Sequence, residues 1–239
     1  MLLLTGTEAS AGVILTVTSS GDGPDAVPGD GVCDTGVTAS ATSPDCTLRA
    51  AIQEANEPGP VRNIVFSIAD ASAMPIIQPK SPLPPITRQV EIDATTQPGF
   101  AGMPNVIIDG SKSASGNGLD VDANDSVIRG LVIYGFDGPG IAVWGDRNTI
   151  AGNFIGVDAR GTDGRGNGQG VVVHGRRNII GGSSHEDRNV ISGNEGTGIS
   201  VDGAERTEVL GNYLGLDASG VKTVPNNGSG VEVVGVSDR

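Results

Sequence analysis

Aromatic side chains are scarce in this chain, at 3% of its residues, and charged ones reach only 18%. No apolar run approaches the roughly 20 residues that cross a bilayer, so no membrane span is expected. Basic residues are in short supply too: 15 Lys and Arg face 28 Asp and Glu, a formal charge of −13. Such a surface repels a phosphate backbone, which removes nucleic acid from the partner classes. Divalent cations, or neutral ligands such as glycans, fit it better. Cysteine occurs twice, as Cys33 and Cys46, and histidine twice. With no Cys-x-x-Cys pair and two distant histidines there is no zinc pattern. Both cysteines lie in polar, loop-like sequence. Paired, they close a short loop worth roughly 3 kcal/mol in the chain-entropy model and imply an oxidising compartment; unpaired, they are two free thiols of a cytosolic protein. The opening MLLLTGTEASA has an apolar stub but no basic stretch, at best a clipped export signal.

Glycine, by contrast, is abundant: 38 Gly and 14 Pro fall between short Val/Ile-rich runs, the signature of many tight turns between many short strands. The runs repeat. A Gly-x-Gly followed by alternating apolar residues recurs at Gly116, Gly138, Gly168, Gly196 and Gly228, in steps of 22, 30, 28 and 32 residues. Twenty-two residues suit one bare coil of three strands and three turns, and longer steps mean a coil carrying a loop. Each unit divides alike. A G-[VIL]-x-V strand is followed by N-x-I-x-G, as in Asn148–Gly152, then by N-[FVY]-[IL]-[GS], as in Asn153–Gly156. Period-2 alternation points Leu119/Val121, Ile141/Val143, Val171/Val173, Ile199/Val201 and Val231/Val233 inward, aliphatic above aliphatic. The recurring Asn at strand starts predicts a ladder in which each amide bonds the next coil's backbone. The fold expected is therefore a right-handed parallel β-helix of three sheets. A β-sandwich would need longer hairpin strands.

The first part of the chain differs. We assign residues 1–60 to a strand (14–20), an Asp/Gly-rich loop (21–34) and a capping helix, and 61–239 to the solenoid, with regular coils from about 116. CTLRAAIQEAN predicts a helix over 47–56, with Thr47 as N-cap, Leu48, Ala51, Ile52 and Ala55 on one face, and Asn56 and Pro58 as the stop. A helix there suits the need to cover the first coil's edges. NIVFSI, QVEIDA and NVIIDG read as less regular early coils. The close at Ser237-Asp238-Arg239 follows a strand signal directly, the pattern of an excised piece, and an uncapped last coil invites end-to-end self-association.

CTLRAAIQEAN, after GDGVCD and before IDATTQPG, resembles the CSLREA-type N-terminal region of bacterial secreted and surface proteins, with Thr47 and Ala50 varying the motif. The downstream units, such as RNVISGNEGTGISV and GNYLGLDASG, are similar to the pectin-lyase-like β-helix repeats that accompany it. The resemblance covers nearly the whole chain. It implies export and an extracellular or cell-surface location, and supplies no catalytic motif to carry over.

Aligning the repeats puts Asp122, Trp144, His174, Asp202 and Val234 in one outward row, with Asp120, Ala142, Val172, Ser200 and Glu232 beside it. Trp144 offers a flat apolar platform for a sugar ring. His174 beside Asp202 could serve as a base with an orienting carboxylate, and separated carboxylates could hydrolyse a glycoside. The reading preferred is a non-catalytic surface or adhesion module whose ligand-binding residues are Asp122, Trp144, His174, Asp202, Asp120 and Glu232. The alternative is a polysaccharide lyase, glycoside hydrolase or epimerase using the same face; third is a bare spacer. The grouped Asp and Gly-His-Gly pattern of β-helix hydrolases and lyases is missing. Asp22, Asp25, Asp30 and Asp34, with Asp45, crowd the N-terminal loop and offer hard oxygen ligands suited to Ca²⁺, without EF-hand spacing. Arg147, Arg177 and Arg206 recur before the second strand, near Asp146, Glu205 and Asp187, and read as a self-neutralising edge. His185 reads as solvent-exposed. The insertions 156–167 and 215–227 place Asp158 and Asp217 equivalently and read as loops projecting from one side, the rim of a groove.

Overall fold

A computed structural model describes residues 12–36, 45–60, 62–69 and 74–235, so the opening stub and the closing Ser237-Asp238-Arg239 lie outside it. Among the described residues, eighteen strands form three parallel sheets. In chain order, the first sheet stacks Val13–Val17, Arg62–Phe66, Val90–Asp93, Val127–Arg129, Thr149–Ala151, Ile179–Gly181 and Glu208–Leu210. The second stacks Ile76–Ile77, Val106–Asp109, Leu131–Tyr134, Phe154–Ile155, Val190–Ile191 and Tyr213–Leu214. The third stacks Leu119–Val121, Pro139–Val143, Gln169–Val173, Ile199–Asp202 and Val231–Val234. From Arg62–Phe66 onward successive strands belong to different sheets while neighbours within a sheet come from successive coils, which is the topology of a parallel β-helix, and one short helix is found among the described residues.

The expected register holds residue for residue. Leu119, Ile141, Val171, Ile199 and Val231 pair in one row, and Val121, Val143, Val173, Val201 and Val233 in the next. All but the last of each row are buried in one continuous core that runs from Leu15 to Val201. Val231 and Val233 are exposed, because no described coil covers them.

Asparagine occupies each of the three corners. Asn148 Oδ1 accepts from Ser126 N, and Asn178 Oδ1 from Asn148 N. At the second corner Asn153, Asn189 and Asn212 accept in turn from Leu131, Asn153 and Asn189. At the third, Asn167, Asn194 and Asn226 accept from Phe136, Asn167 and Asn194. Each side-chain NH₂ donates to a carbonyl of the preceding coil, as Asn153 does to Ile128. A corner carbonyl and amide that water cannot reach are thereby satisfied by the same side chain. At the turn ahead of the first ladder Asp125, Arg147, Arg177 and Arg206 take φ of 57°, 58°, 56° and 57°, a left-handed conformation that most sequences give to glycine.

The helix spans Leu48–Asn56, with Thr47 accepting from Ala50 N, and packs on the first two strands of the first sheet. Its buried set is wider than the apolar face. Glu54 is fully buried, paired with Arg62 at 2.9 Å and accepting from the backbone N–H of Gly29 and Gly31. The Asp/Gly-rich loop thus lies over the helix's polar side. Cys33 and Cys46 are disulfide-bonded, with Cα atoms 5.2 Å apart, tying this loop to the helix start.

Candidate functional site

The outward row of the third sheet is assembled as the alignment predicts. Trp144 and His174 follow Val143 and Val173, which pair directly, and their rings stack with centroids 3.9 Å apart and planes 11° from parallel. His174 Nδ1 lies 3.6 Å from Asp202 Oδ2, an ion-pair distance that is long for a hydrogen bond. Trp144 stays half exposed. One ring face is covered by His174, while on its other side the row continues with Asp122, a short side chain that leaves the indole open. Partial burial, helped by the nearby charge of Asp120, raises the Asp122 carboxyl above its ordinary range.

The row beside it behaves differently. Ala142, Val172 and Ser200 point outward yet are buried. Asp120 accepts from Asn117 Nδ2 at 2.6 Å, and Glu232 from Thr197 Oγ1 at 3.2 Å. At about 4.8 Å per coil, Asp120 and Glu232 stand about 19 Å apart, and Asp122 and Asp202 about 14 Å. Glycoside hydrolysis asks for carboxylates roughly 5–10 Å apart, so neither pair can act together. Two pairs are in reach: Asp120 and Asp122, two residues apart along the chain, and Asp202 and Glu232, diagonal neighbours about 8 Å apart on paired strands.

The aspartates expected as calcium ligands, Asp22, Asp25, Asp30 and Asp34, are held by other partners in the structure. Among the described residues no three acidic, His or Cys side chains gather to hold a metal ion. Asp22 is taken by Arg49 at 2.9 Å and by the backbone of Lys80. Asp25, Asp30 and Asp34 each accept from the N–H two residues on, closing Asx turns, and Asp45 accepts from Thr35. Turn chemistry uses these oxygens.

The arginine edge gathers the expected Asp146 and Glu205 and adds Asp125, which sequence reasoning did not name. Asp125 binds Arg147 through two hydrogen bonds of 2.7 Å, which hold its carboxyl below its usual range. Glu205 lies 3.9 Å from Arg176. Asp187 is elsewhere, bonded to Ser184 in the 182–188 loop.

The insertions 156–167 and 215–227 do not project as a rim. They fold down onto the outer face of the second sheet, where Ile107, Val132, Phe154 and Val190 meet Val157, Ala159 and Val224 in a second apolar cluster. Asp158 pins its loop by accepting from Thr162 and Asp163, and Asp217 does the same through Val221 and Lys222. Ala218 N donates to Gly161 O, so one loop sits on the other. The signal was the apolar residue after each Asn of the third motif, Phe154, Val190 and Tyr213, which faces outward and needs cover.

Sequence reasoning missed a groove of about 500 Å³ at the corner between the first two sheets. Its floor is Gly130, Gly152, Phe154 and Val190, and its walls are the segments around Phe100–Pro104 and His185–Arg188. His185 is exposed, as expected, and lines it. No protein-family model matches the chain, and no curated protein or solved structure matches it either.

Proposed function

We propose that this chain is a secreted or surface-displayed β-helix module, with a CSLREA-type N-terminal region, that binds glycans on the Asp122–Trp144–His174–Asp202 face without turning them over. The observation that carries this reading is the Trp144–His174 stack. It fixes the indole by packing, so a sugar ring meets an ordered apolar plane flanked by Asp122 and Asp202. The disulfide is compatible with an oxidising, extracellular setting. The exposure of Trp144 on an open row favours binding over catalysis.

A glycan array followed by calorimetry on the best binder tests it. Trp144→Ala is expected to weaken binding at least about tenfold and His174→Ala by less, with the melting temperature unchanged. Full-strength binding by both variants, or no binder on a broad array, overturns the proposal. One observation supports the enzymatic alternative: Asp122, its carboxyl raised, stands within reach of Asp120. Release of reducing ends or unsaturated sugars that stops in Asp122→Asn would move the assignment to a polysaccharide hydrolase or lyase.

A further inference from the structure

We propose that the groove at the corner of the first and second sheets is a binding site for a planar apolar anion, such as an aromatic carboxylate or sulfonate. It is separate from the Trp144 face and does not depend on it. The volume, about 500 Å³, falls in the range of small-molecule sites. Phe154 and Val190, partners in adjacent coils, give it an apolar floor, and Phe100, Met103 and Pro104 an apolar wall. Met103 is exposed at this wall although nothing about the local turn requires an apolar residue there.

Both walls are held in place. Gly152 N donates to Asp187 O at 2.9 Å, and Ser184 and Asp187 bond each other, so the 182–188 loop is fastened to the floor. Across the groove, Gln97 exchanges two side-chain bonds with the backbone of Ile68, and Phe100 N donates to Gln97 O. A pocket with fastened walls keeps its shape when empty, which lowers the ordering cost of filling it.

Charge sets the ligand's sign. In a chain of net charge −13, this groove is lined by Arg129 and Arg188. Arg129 makes a loose 3.8 Å contact with Asp93 Oδ1, an atom already accepting from Thr95 N and Thr95 Oγ1. Arg188 uses Nε on Gly211 O and lays its guanidinium over Tyr213, 4.2 Å from the ring centre, which orients the fork and leaves its terminal NH₂ groups available. Two guanidinium groups beside an apolar floor can accept a carboxylate or sulfonate at one end of a flat apolar body. Glu186 is the acidic member of the lining, at the exposed loop.

The test uses 1-anilinonaphthalene-8-sulfonate and its uncharged counterpart N-phenyl-1-naphthylamine, titrated by fluorescence against the intact, folded chain. Saturable one-to-one binding of the sulfonate is expected, with the uncharged probe at least about tenfold weaker. Arg129→Gln, at a half-exposed position the core does not use, should weaken the sulfonate several-fold, and its combination with Arg188→Gln at least about tenfold, converging on the affinity of the uncharged probe. Met103→Trp should block both probes, and Trp144→Ala should change neither. Equal affinity for the two probes, indifference to Arg129→Gln, or no saturation at millimolar probe overturns the proposal. Loss of probe binding in Trp144→Ala would place the probe on the other face and overturn it as well.

Discussion

From residue 116 onward the buried polar side chains are mostly asparagines, Asn148, Asn153, Asn167, Asn178, Asn189 and Asn194, each repeating its neighbour's task one coil further on. In the region before residue 70 they are Asp25, Thr47, Glu54 and Arg62, each used once. The coils hold through redundancy: a neutral amide satisfies one N–H and one carbonyl, and the next coil supplies another. The cap holds through single links between distant segments, namely a disulfide, a buried ion pair and side chains that clamp loop turns. A repeat can reuse one solution because every coil presents the next with the same corner. The cap must cover a sheet edge with a helix and an irregular loop, and no neighbour repeats its geometry.

That contrast can be broken at the cap with the largest effect. Glu54→Gln leaves Arg62 buried against a neutral partner, and stability should fall by about 3–5 kcal/mol, read as a lower denaturant midpoint. Cys33→Ser with Cys46→Ser should cost about 2–4 kcal/mol, and reductant should have the same effect on the parent protein. In the coils, Asn153→Ala strips partners from Leu131 N, Ile128 O and Ala151 O, and should cost about 1–3 kcal/mol. Losses that match at cap and coil would contradict the difference in redundancy. Hydrogen exchange should show the Asn153 effect confined to the adjoining coils, while Glu54→Gln deprotects the helix Leu48–Asn56 and the strands Val13–Val17 and Arg62–Phe66 together.

The smallest effect sharpens the comparison by pH. Burial, opposed by the Val27 N–H and reinforced by the charges of Glu54, Asp30 and Asp34, raises the Asp25 carboxyl above its ordinary range. Its second oxygen is buried with no hydrogen-bond partner. The folded chain therefore keeps this proton to higher pH than the unfolded chain does. The contribution is fully present below the unfolded value and is lost as pH rises through the folded one. Asp25→Asn should be slightly more stable than the parent at neutral pH and should flatten the fall in stability over that interval, measured by melting at stepped pH. An unchanged slope would show that Asp25 does not titrate in that interval.

The regular coils were legible because their periodicity is physical. Inward aliphatics at alternate positions and an Asn at the corner are the minimum a stacked coil needs, so Leu119 to Val201 and the first two ladders could be read directly. The helix and its Thr47 cap were legible for the same reason. Glu54 was not, since helical spacing reports one buried face and cannot show that a loop 23 residues earlier closes over the other. The acidic loop was not legible, because turn-forming and cation-binding aspartates look alike until their donors are assigned. The shared row of Trp144 and His174 followed from register. The groove did not, because its walls come from segments about 80 residues apart whose meeting depends on how each loop is fastened.

The asparagine ladders carry a consequence for distance. Each amide reaches only to the coil beside it, so nothing in the ladder records how many coils there are. The solenoid is in that sense a ruler, graduated at about 4.8 Å. Inserting one bare coil of 22 residues, the step from Gly116 to Gly138, would carry Trp144 one graduation further from the cap while leaving the contacts on both sides as they are. A chain built this way can change the spacing between its cap and its Trp144 face by lengthening the scale, without redesigning either end.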